Sequence, residues 1–340
     1  MVKAVLVAVG STLLLLLVLT PGLEAQTGWK WEVIFYPDSA PSGSVGCSTI
    51  GPWMFGCWVP VSTVVVHTPL VWCPTCGKFV PAAGSPINLT NGNTYIQETD
   101  LSLPGLGGGL SLTRTWNSIV PGDYGGLPTG IFGGNWRSTF EERLTSGSGT
   151  ASNYMMYLKE DGGIWFFGLH GSTWSLVSPA SLTATLTLNA NQTWTIQFQN
   201  GEQRVFSAVS GSLIAIVDRN GNAKQLSYDG QNRLTTVADA ASRHLFFNYP
   251  DNSSGLVSSV TSDFGITLSY TYDSQGRLVQ VTNPDQTTIS FAYDSNSMIT
   301  AVQDSQGKLL ESHSYDSFGR GITSSRANGV DAVTVSYPND

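Results

Sequence analysis

Six tyrosines recur along the chain at intervals of 21, 23, 21, 22 and 22 residues. They are Tyr228, Tyr249, Tyr272, Tyr293, Tyr315 and Tyr337. The clearest copy begins Tyr-Asp-Ser-Gln-Gly-Arg-Leu at Tyr272, and similar openings return at Tyr228 and Tyr315. Because a fixed period of this size is typical of stacked supersecondary units, the spacing predicts a tandem array that forms a surface or wall rather than a catalytic pocket.

Apolar residues alternate with polar ones before each tyrosine, as in Leu268, Tyr270 and Tyr272. A period of two places such residues on one face of a strand, and we expect this face to be core. The predicted core positions of the repeat are Tyr228, Tyr249, Tyr272, Tyr293, Tyr315, Leu234 and Leu278.

The residues after each tyrosine have turn chemistry. An Asp side chain can accept a hydrogen bond from the backbone two residues on, and Gly tolerates a positive φ. The predicted turn positions are Asp229, Asp273, Gly276, Asp316 and Gly319. One period is therefore one β-hairpin plus a connecting turn.

A single hairpin of this kind cannot hold itself together. Ordering its residues costs about 1 to 2 kcal/mol each, whereas each large buried side chain contributes only about 1.5 to 3 kcal/mol. Neighbouring repeats must therefore pair and share a core. The predicted fold is all-β, with tandem hairpins in an extended or curled sheet that follows a β-rich N-terminal region.

The repeated motif resembles the YD repeat of Rhs (rearrangement hot spot) proteins. Residues 98–106 (Glu-Thr-Asp-Leu-Ser-Leu-Pro-Gly-Leu) and 110–118 (Leu-Ser-Leu-Thr-Arg-Thr-Trp-Asn-Ser) are similar to the segment of unknown function that opens many Rhs proteins. The resemblance covers residues 85–340. It implies a hairpin ribbon that spirals into a hollow shell and holds a C-terminal toxin. Further repeats or a toxin domain, absent from these 340 residues, are the implied partners, so we expect a fragment or a short member of the family.

The N-terminus has the features of a secretory signal. Lys3 gives a positive start, residues 4–19 are mostly apolar, Pro21 breaks the run, and Ala25 is a small residue suited to cleavage. The alternative is that this segment is not cleaved and anchors the protein in a membrane. We expect no other contact with a membrane. The predicted location is secreted or at the cell surface.

The predicted organisation has five parts. They are a signal peptide (1–25), a Trp/Cys/Pro-rich segment (26–84), an Rhs-type N-terminal region (85–145), a strand-rich transition region (146–205) and the YD repeats (206–340).

The four cysteines, Cys47, Cys57, Cys73 and Cys76, all lie in the second part. Export favours disulfides between them, but the Cys-x-x-Cys pair leaves zinc binding or redox chemistry as alternatives. Sequence alone does not choose among the three possible pairings.

Composition and motifs give no sign of catalysis. A net charge of −8 argues against a nucleic-acid binder. The four histidines show no metal-binding spacing, and adjacent Glu141 and Glu142 are expected to point to opposite faces of a strand, which makes them a poor acid/base pair. We therefore predict no enzyme activity, no cofactor and no metal.

Some repeats depart from the motif. Pro250 replaces the Asp, Met298 stands where Arg is expected, and Glu311 and His313 occupy alternating positions that are apolar elsewhere. These departures are either drift or a local polar gap in the wall.

Two functions follow. The first is an exported structural scaffold of an Rhs-type cell-surface or toxin-delivery protein. The alternative is a carbohydrate-binding or adhesion module in which Trp-rich loops and the repeated tyrosines contact surface glycans, since an aromatic face with a polar tip suits sugars. The alternation that turns the tyrosines toward the core favours the scaffold. Residues 331–339, with Val333, Val335 and Tyr337 in alternation, are further expected to form a sheet edge that self-associates.

Overall fold

A computed structural model describes residues 82–120, 129–146, 154–179 and 182–337, and the backbone of five strands nearer the N-terminus. The chain divides into two compact units, Met1–Thr68 and Pro69–Asp340. The side chains of the predicted signal peptide and of Cys47, Cys57, Cys73 and Cys76 lie outside the described residues. No helix in the described ranges is long and apolar enough to cross a membrane.

The first unit contains two small antiparallel sheets. Strands β1 (Lys3–Val9) and β2 (Thr12–Val18) form a hairpin. Strands β3 (Trp29–Phe35), β4 (Val45–Gly51) and β5 (Met54–Pro60) form a sheet in the order β3-β5-β4.

The second unit opens with a pair of two-residue strands, β6 (Ala82–Ala83) and β7 (Ile87–Asn88), and a three-stranded sheet. The sheet has the order β10-β9-β8 and contains β8 (Tyr95–Leu103), β9 (Leu110–Asn117) and β10 (Trp136–Ser138). A 3-10 turn, Leu106–Gly108, joins β8 to β9. The β8–β9 register shifts between Thr99 and Leu101, so Asp100 is the extra residue of a β-bulge. We call the β10-β9-β8 sheet the N-terminal sheet.

All remaining strands form one antiparallel sheet of 19 strands in sequence order, β11 to β29. They are β11 (Arg143–Ser146), β12 (Tyr154–Leu158), β13 (Ile164–His170), β14 (Thr173–Ser178), β15 (Ala184–Leu188), β16 (Thr193–Phe198), β17 (Gln203–Ser207), β18 (Leu213–Val217), β19 (Ala223–Tyr228), β20 (Leu234–Ala238), β21 (His244–Asn248), β22 (Ser259–Ser262), β23 (Thr267–Tyr272), β24 (Leu278–Thr282), β25 (Thr288–Tyr293), β26 (Ile299–Gln303), β27 (Leu309–Tyr315), β28 (Gly321–Arg326) and β29 (Val333–Thr334). The predicted all-β array of hairpins is confirmed. The sheet runs without a break from the transition region into the repeats.

Alternation within these strands creates the core. Leu226, Val237, Leu245, Phe247 and Val260 from consecutive strands β19 to β22 are all buried. In four of the repeats the register shifts just before the tyrosine, so a β-bulge marks the end of the hairpin's first strand.

The long sheet curls at its beginning. The N–H of Leu144 on β11 donates to the carbonyl of Gly211, in the turn between β17 and β18 (2.9 Å). The Arg143 guanidinium donates to the carbonyl of Ser210 in the same turn (2.7 Å). Strand β11 therefore lies against a turn six strands further along the sheet.

The N-terminal sheet, the segment between β9 and β10 and the residues just after β10 pack against one face of the repeats. The ring pairs are Phe140 with Phe247, Phe132 with Tyr270, Trp136 with Phe291, and Trp116 with Tyr315. Their partners lie on β21, β23, β25 and β27, which are the first strands of successive hairpins. This contact bridges four repeats.

Candidate functional site

The turn of the clearest repeat is closed by its aspartate. Asp273 Oδ1 accepts hydrogen bonds from the N–H groups of Gln275 (2.9 Å) and Arg277 (3.0 Å). Gly276 takes a φ of 74°, a left-handed conformation that favours glycine. The structure therefore places Asp273 and Gly276 in the turn.

The other copies use the same geometry. Asp229 and Asp316 each accept N–H bonds from the residues two and four positions later. Gly319 has a φ of 78° in the copy at Asp316, whereas Asn232 takes 60° at the equivalent position after Asp229. Asn tolerates this region better than most side chains, which explains why that turn survives without glycine.

The arginine of each motif joins one repeat to the next. Arg277 Nε donates to Asp273 Oδ2 (2.6 Å), and its guanidinium carbon lies 4.9 Å from the ring centre of Tyr293, the tyrosine of the next repeat. We call this arrangement the Asp–Arg–Tyr clamp. The other two complete clamps are Asp229–Arg233–Tyr249, with 4.5 Å from guanidinium to ring, and Asp316–Arg320–Tyr337, with 4.1 Å.

Each repeated tyrosine also holds a neighbouring strand through its hydroxyl. The Tyr272 hydroxyl donates to the carbonyl of Val257, 15 residues earlier, at 2.8 Å. The other tyrosine–carbonyl bonds are Tyr228 to Leu213, Tyr249 to Leu234, Tyr293 to Leu278, Tyr315 to Ile299 and Tyr337 to Gly321. Desolvation raises the pKa of Tyr228, Tyr249, Tyr272, Tyr293 and Tyr315, to about 12 for Tyr293. The hydroxyls therefore remain protonated donors at neutral pH.

The predicted core residues differ in burial: the two leucines are buried, and the five tyrosines are partly buried. Leu234 and Leu278 are buried, each directly opposite a repeat tyrosine across the hairpin. The tyrosines Tyr228, Tyr249, Tyr272, Tyr293 and Tyr315 are partly buried and pack against the core. Their rings thus lie at the margin of the core, with the hydroxyl turned to backbone.

The repeat with Met298 lacks the clamp. Asp294 Oδ1 still accepts the N–H bonds of Asn296 (2.8 Å) and Met298 (2.9 Å), so the turn itself is intact. Tyr315, which has no guanidinium partner from Met298, instead meets Trp116 edge to face at 6.2 Å. The contact of Trp116 with Tyr315 thus occurs at the repeat in which Met298 replaces the arginine of the motif.

A buried ion pair lies between the N-terminal sheet and the repeats. Arg114 donates from Nε to Asp100 Oδ2 (2.6 Å) and from Nη2 to Asp100 Oδ1 (2.7 Å), a bidentate pair. The side chains are 1% and 4% exposed. Burial alone would lower the pKa of Arg114, but the charge and hydrogen bonds of Asp100 outweigh it and raise that pKa above its ordinary value.

Four aromatic rings surround this ion pair. The Arg114 guanidinium carbon lies 4.8 Å from the ring centre of Trp136, 5.6 Å from Tyr270, 5.8 Å from Phe132 and 6.0 Å from Phe291. The Tyr270 hydroxyl donates to Asp100 Oδ2 (2.8 Å). We call these six residues the inter-sheet cluster. It ties β8 and β9 to β23 and β25.

Sequence reasoning found the two segments that carry the cluster but not the pair itself. A signal was present: Arg114 lies between Leu112 and Trp116 in a strand with period-two alternation, so its side chain shares their core face. The bulge at Asp100 has no comparable signal in the sequence.

A second link joins the start of the described region to β28. The Ser85 N–H donates to Ser324 Oγ (2.9 Å), and that hydroxyl donates back to the Ser85 carbonyl (3.0 Å). The Gly321 N–H donates to the Gly92 carbonyl (2.8 Å). A Cβ added at Gly321 would lie 2.3 Å from Thr94 Oγ1, so the close approach requires glycine.

The expectation for Glu141 and Glu142 is corrected, because both precede β11 and lie in no strand. Glu141 Oε1 accepts the N–H of Ile131 (2.7 Å). Glu142 accepts the Tyr157 hydroxyl (2.6 Å) and Arg204 Nε (3.0 Å). The two carboxylates therefore have separate structural partners. No three His, Cys, Asp or Glu side chains of the described residues form a metal-binding group.

The polar departures before Tyr315 lie on β27, close to the N-terminal sheet. His313 is buried, with Nε2 3.4 Å from Glu311 Oε2. Desolvation raises the pKa of Glu98 on β8. The charge of Arg114 lowers that pKa, whereas the charge of Glu311 raises it further. Glu98 and Glu311 are thus close enough to interact.

These features define a class of protein: a β-hairpin array whose repeats are joined by side-chain clamps and packed against an N-terminal sheet. Residues 84–176 match the family model "Domain of unknown function (DUF6531)", and residues 169–330 match the model "Teneurin YD-shell". Residues 84–330 are therefore similar to a DUF6531 region followed by a YD-shell, which confirms the predicted resemblance to YD-repeat proteins of the Rhs type.

Curated relatives include "tRNA nuclease WapA" of Bacillus subtilis (strain 168), 31% identical over 149 residues, which is 44% of this chain and 6% of that protein. Another is "tRNA(Glu)-specific nuclease WapA" of Bacillus subtilis subsp. natto, 30% identical with the same coverage. The chain thus matches only a small fraction of the length of these relatives.

Similar solved structures belong to Tc toxins. The TcdB2-TccC3-Cdc42 crystal structure has 12% identity and a TM-score of 0.30, covering 56% of this chain and 12% of that one. The Photorhabdus luminescens Tc holotoxin pore has 13% identity and a TM-score of 0.24, covering 70% and 17%.

Proposed function

We propose that this chain is the N-terminal, non-catalytic part of the wall of an exported Rhs-type shell, in a cell-surface or toxin-delivery protein. Its partners are further repeats or a C-terminal toxin domain. The inter-sheet cluster carries the proposal. It uses the two segments that precede the repeats to fix the positions of β23 and β25, which lie on either side of β24, and such a contact makes the wall rigid rather than catalytic.

The engagement of the repeat side chains supports the same function. The six repeat tyrosines donate to backbone carbonyls inside the wall. Guanidinium groups lie over the rings of Tyr249, Tyr293 and Tyr337. These groups are used to connect repeats. Glycan binding by the tyrosines stays a prediction, which a glycan array on the secreted protein would test.

A tRNA cleavage assay tests the non-catalytic part of the proposal, because the relatives are named as tRNA nucleases. We expect the purified chain to leave total tRNA intact with and without divalent cations. The matched control is Glu142→Gln, which alters a buried carboxylate of the wall. The proposal would be overturned if tRNA cleavage co-purified with the chain and its rate differed between the Glu142→Gln variant and the natural sequence.

Export is tested on the natural protein. The protein from the culture medium should begin near residue 26, as measured by mass spectrometry of its N-terminal peptide. In the same sample, alkylation before and after reduction tests the disulfide prediction, with no free thiols expected before reduction. A protein found only inside the cell, with an intact Met1, would contradict export.

A further inference from the structure

A cavity of about 700 Å³ opens between two hairpin turns near the start of the long sheet. One wall comes from the β12–β13 turn and carries Glu160, and the other comes from the β16–β17 turn and carries Glu202. Trp165 and Phe198 form its aromatic side, in edge-to-face contact at 5.8 Å. Leu182, 39% exposed, adds an aliphatic rim. The lining thus combines apolar surface with two acids.

The basic side chains of the cavity are already paired. Arg204 Nε lies 3.0 Å from Glu142 Oε1, and Lys159 Nζ lies 3.0 Å from Asp161 Oδ2. Among the described residues the charge of Lys159 acts on the Glu160 carboxylate, but the ion pair of Lys159 is made with Asp161. The cluster therefore has four carboxylates, those of Glu142, Glu160, Asp161 and Glu202, against the two cations, so negative charge is in excess.

The cations also occupy the aromatic faces. Lys159 Nζ lies 5.6 Å from the ring centre of Trp165, and the Arg204 guanidinium carbon lies 5.5 Å from that of Phe198. Neither cation is free to turn toward an anionic ligand without losing both a carboxylate and a ring. An anionic occupant is therefore disfavoured.

Electrostatics support the same view of Glu160. Desolvation is the largest cause that raises the pKa of Glu160, and the charge of Glu142 adds to it. The charge of Lys159 lowers this pKa, and the net result is a pKa of about 7. Asp161, in the same turn, adds to the rise, and the Tyr157 hydroxyl on β12 is committed to Glu142. At neutral pH a proton thus partly neutralises the Glu160 carboxylate.

We propose that this cavity binds an organic cation, an ammonium or guanidinium group on an apolar stem, with the Glu160 carboxylate as its counter-ion. The stem lies along Phe198 and Leu182, and the charged head takes the place of the proton on Glu160. A lysine or arginine side chain of a peptide and a free polyamine share this chemistry. The site does not depend on the scaffold function proposed above.

Calorimetric titration of the full chain at pH 8 tests the proposal with four probes. These are N-acetyl-lysine methylamide, N-acetyl-arginine methylamide, spermidine and the neutral N-acetyl-norleucine methylamide. We expect the cations to bind and the norleucine probe not to bind. Binding by the amino-acid probes assigns the site to peptide side chains, and binding by spermidine alone assigns it to polyamines. Repeating the titration at pH 7 in buffers of different ionisation enthalpy should show proton release on binding.

The Glu160→Gln variant should bind the cations about tenfold more weakly or worse, because it removes a charge-assisted bond. The matched control is Asp263→Asn, which removes a carboxylate of the exposed His244–Asp263 pair on the repeats and should leave binding unchanged. Equal binding by Glu160→Gln, or equal binding of the norleucine probe, would overturn the proposal. So would the absence of binding by every cation.

Thermal unfolding shows that the variant is folded and adds an independent readout. Because the pKa of Glu160 is raised in the folded state, the folded protein binds more protons than the unfolded one between pH about 4.5 and about 7. This group therefore lowers the melting temperature as pH rises through that window. The Glu160→Gln variant should lose this decline. An unchanged profile would contradict the electrostatic basis of the site.

Discussion

The same ion pair, arginine with aspartate, occurs in two very different settings. Arg114 and Asp100 lie in the inter-sheet cluster with side chains 1% and 4% exposed, whereas Arg277 and Asp273 in a repeat turn are 24% and 23% exposed. Breaking a buried pair leaves a charge without a partner, which is strongly destabilising, while exposed pairs contribute little each. The contact of the N-terminal sheet with the repeats therefore contains one ion pair whose loss is costly, whereas the ion pairs of the repeat turns are individually weak.

Repetition makes the weak contacts effective. A clamp that is worth a fraction of a kcal/mol recurs with each complete motif, and stability in such arrays is close to a sum of repeat and interface contributions. A single lost clamp, as at Met298, is then tolerated. The buried Arg114–Asp100 pair is not repeated among the described residues, so no equivalent contact compensates when it is removed.

The largest effect is expected for Arg114→Met. The variant leaves the Asp100 carboxylate buried among aromatic rings, and it should lower the free energy of unfolding by about 3 to 5 kcal/mol. Chemical denaturation followed by tryptophan fluorescence measures this. The double variant Arg114→Met/Asp100→Leu should recover most of the loss because no charge remains. A loss below about 1 kcal/mol in the single variant would show that the pair is not desolvated.

Next is Tyr272, at the margin of the repeat core. Tyr272→Ala should cost about 3 kcal/mol, as large aromatic truncations do. Tyr272→Phe keeps the ring and removes only the bond to the Val257 carbonyl, so it should cost about 1 kcal/mol. The control Gln275→Ala, in the exposed turn, should cost less than about 0.5 kcal/mol. Equal denaturation midpoints for the alanine variants would refute this register.

Acid should weaken all clamps together. Burial raises the pKa of Asp273, but bonds from the Arg277 backbone and guanidinium outweigh it and leave the pKa below its ordinary value. Asp229 and Asp316 shift in the same direction. A carboxyl with a depressed folded pKa stabilises above its unfolded pKa, near 3.9, and this stabilisation is lost as pH falls through the folded value. Melting temperatures from pH 5 to pH 2 measure the decline, which should be smaller in Asp229→Asn/Asp273→Asn/Asp316→Asn.

How far the sequence predicts this molecule can be judged at the repeats. Period-two alternation and the Asp and Gly positions predict the hairpins and their turns, because both are local. The bond from Tyr272 to Val257 joins residues 15 apart, and the Arg277–Tyr293 contact joins two repeats, so neither follows from local pattern. The inter-sheet cluster is harder still, since Asp100 and Tyr270 are 170 residues apart and their contact depends on a bulge.

A smaller effect is expected from Arg277→Met, which copies at one clamp the change that the chain carries at Met298. It removes an exposed ion pair and a cation–π contact, and should cost about 0.5 to 1 kcal/mol. The readout is the denaturation midpoint. A loss comparable to that of Arg114→Met would mean that the clamps are not individually weak, and the contrast between the two settings would fail.

The smallest effect is expected from the reverse change, Met298→Arg, which restores the motif. The new guanidinium can pair with Asp294 and lie over Tyr315, which together contribute about 0.5 to 1 kcal/mol. It also removes the packing of Met298 against the core and against Gly319, where an added Cβ would already lie 3.1 Å from Met298 Cε. Tyr315 meanwhile keeps its edge contact with Trp116. These terms oppose each other, so the free energy of unfolding should change by less than about 0.5 kcal/mol. A gain above about 1 kcal/mol would show that the missing clamp is a defect which the N-terminal sheet does not offset.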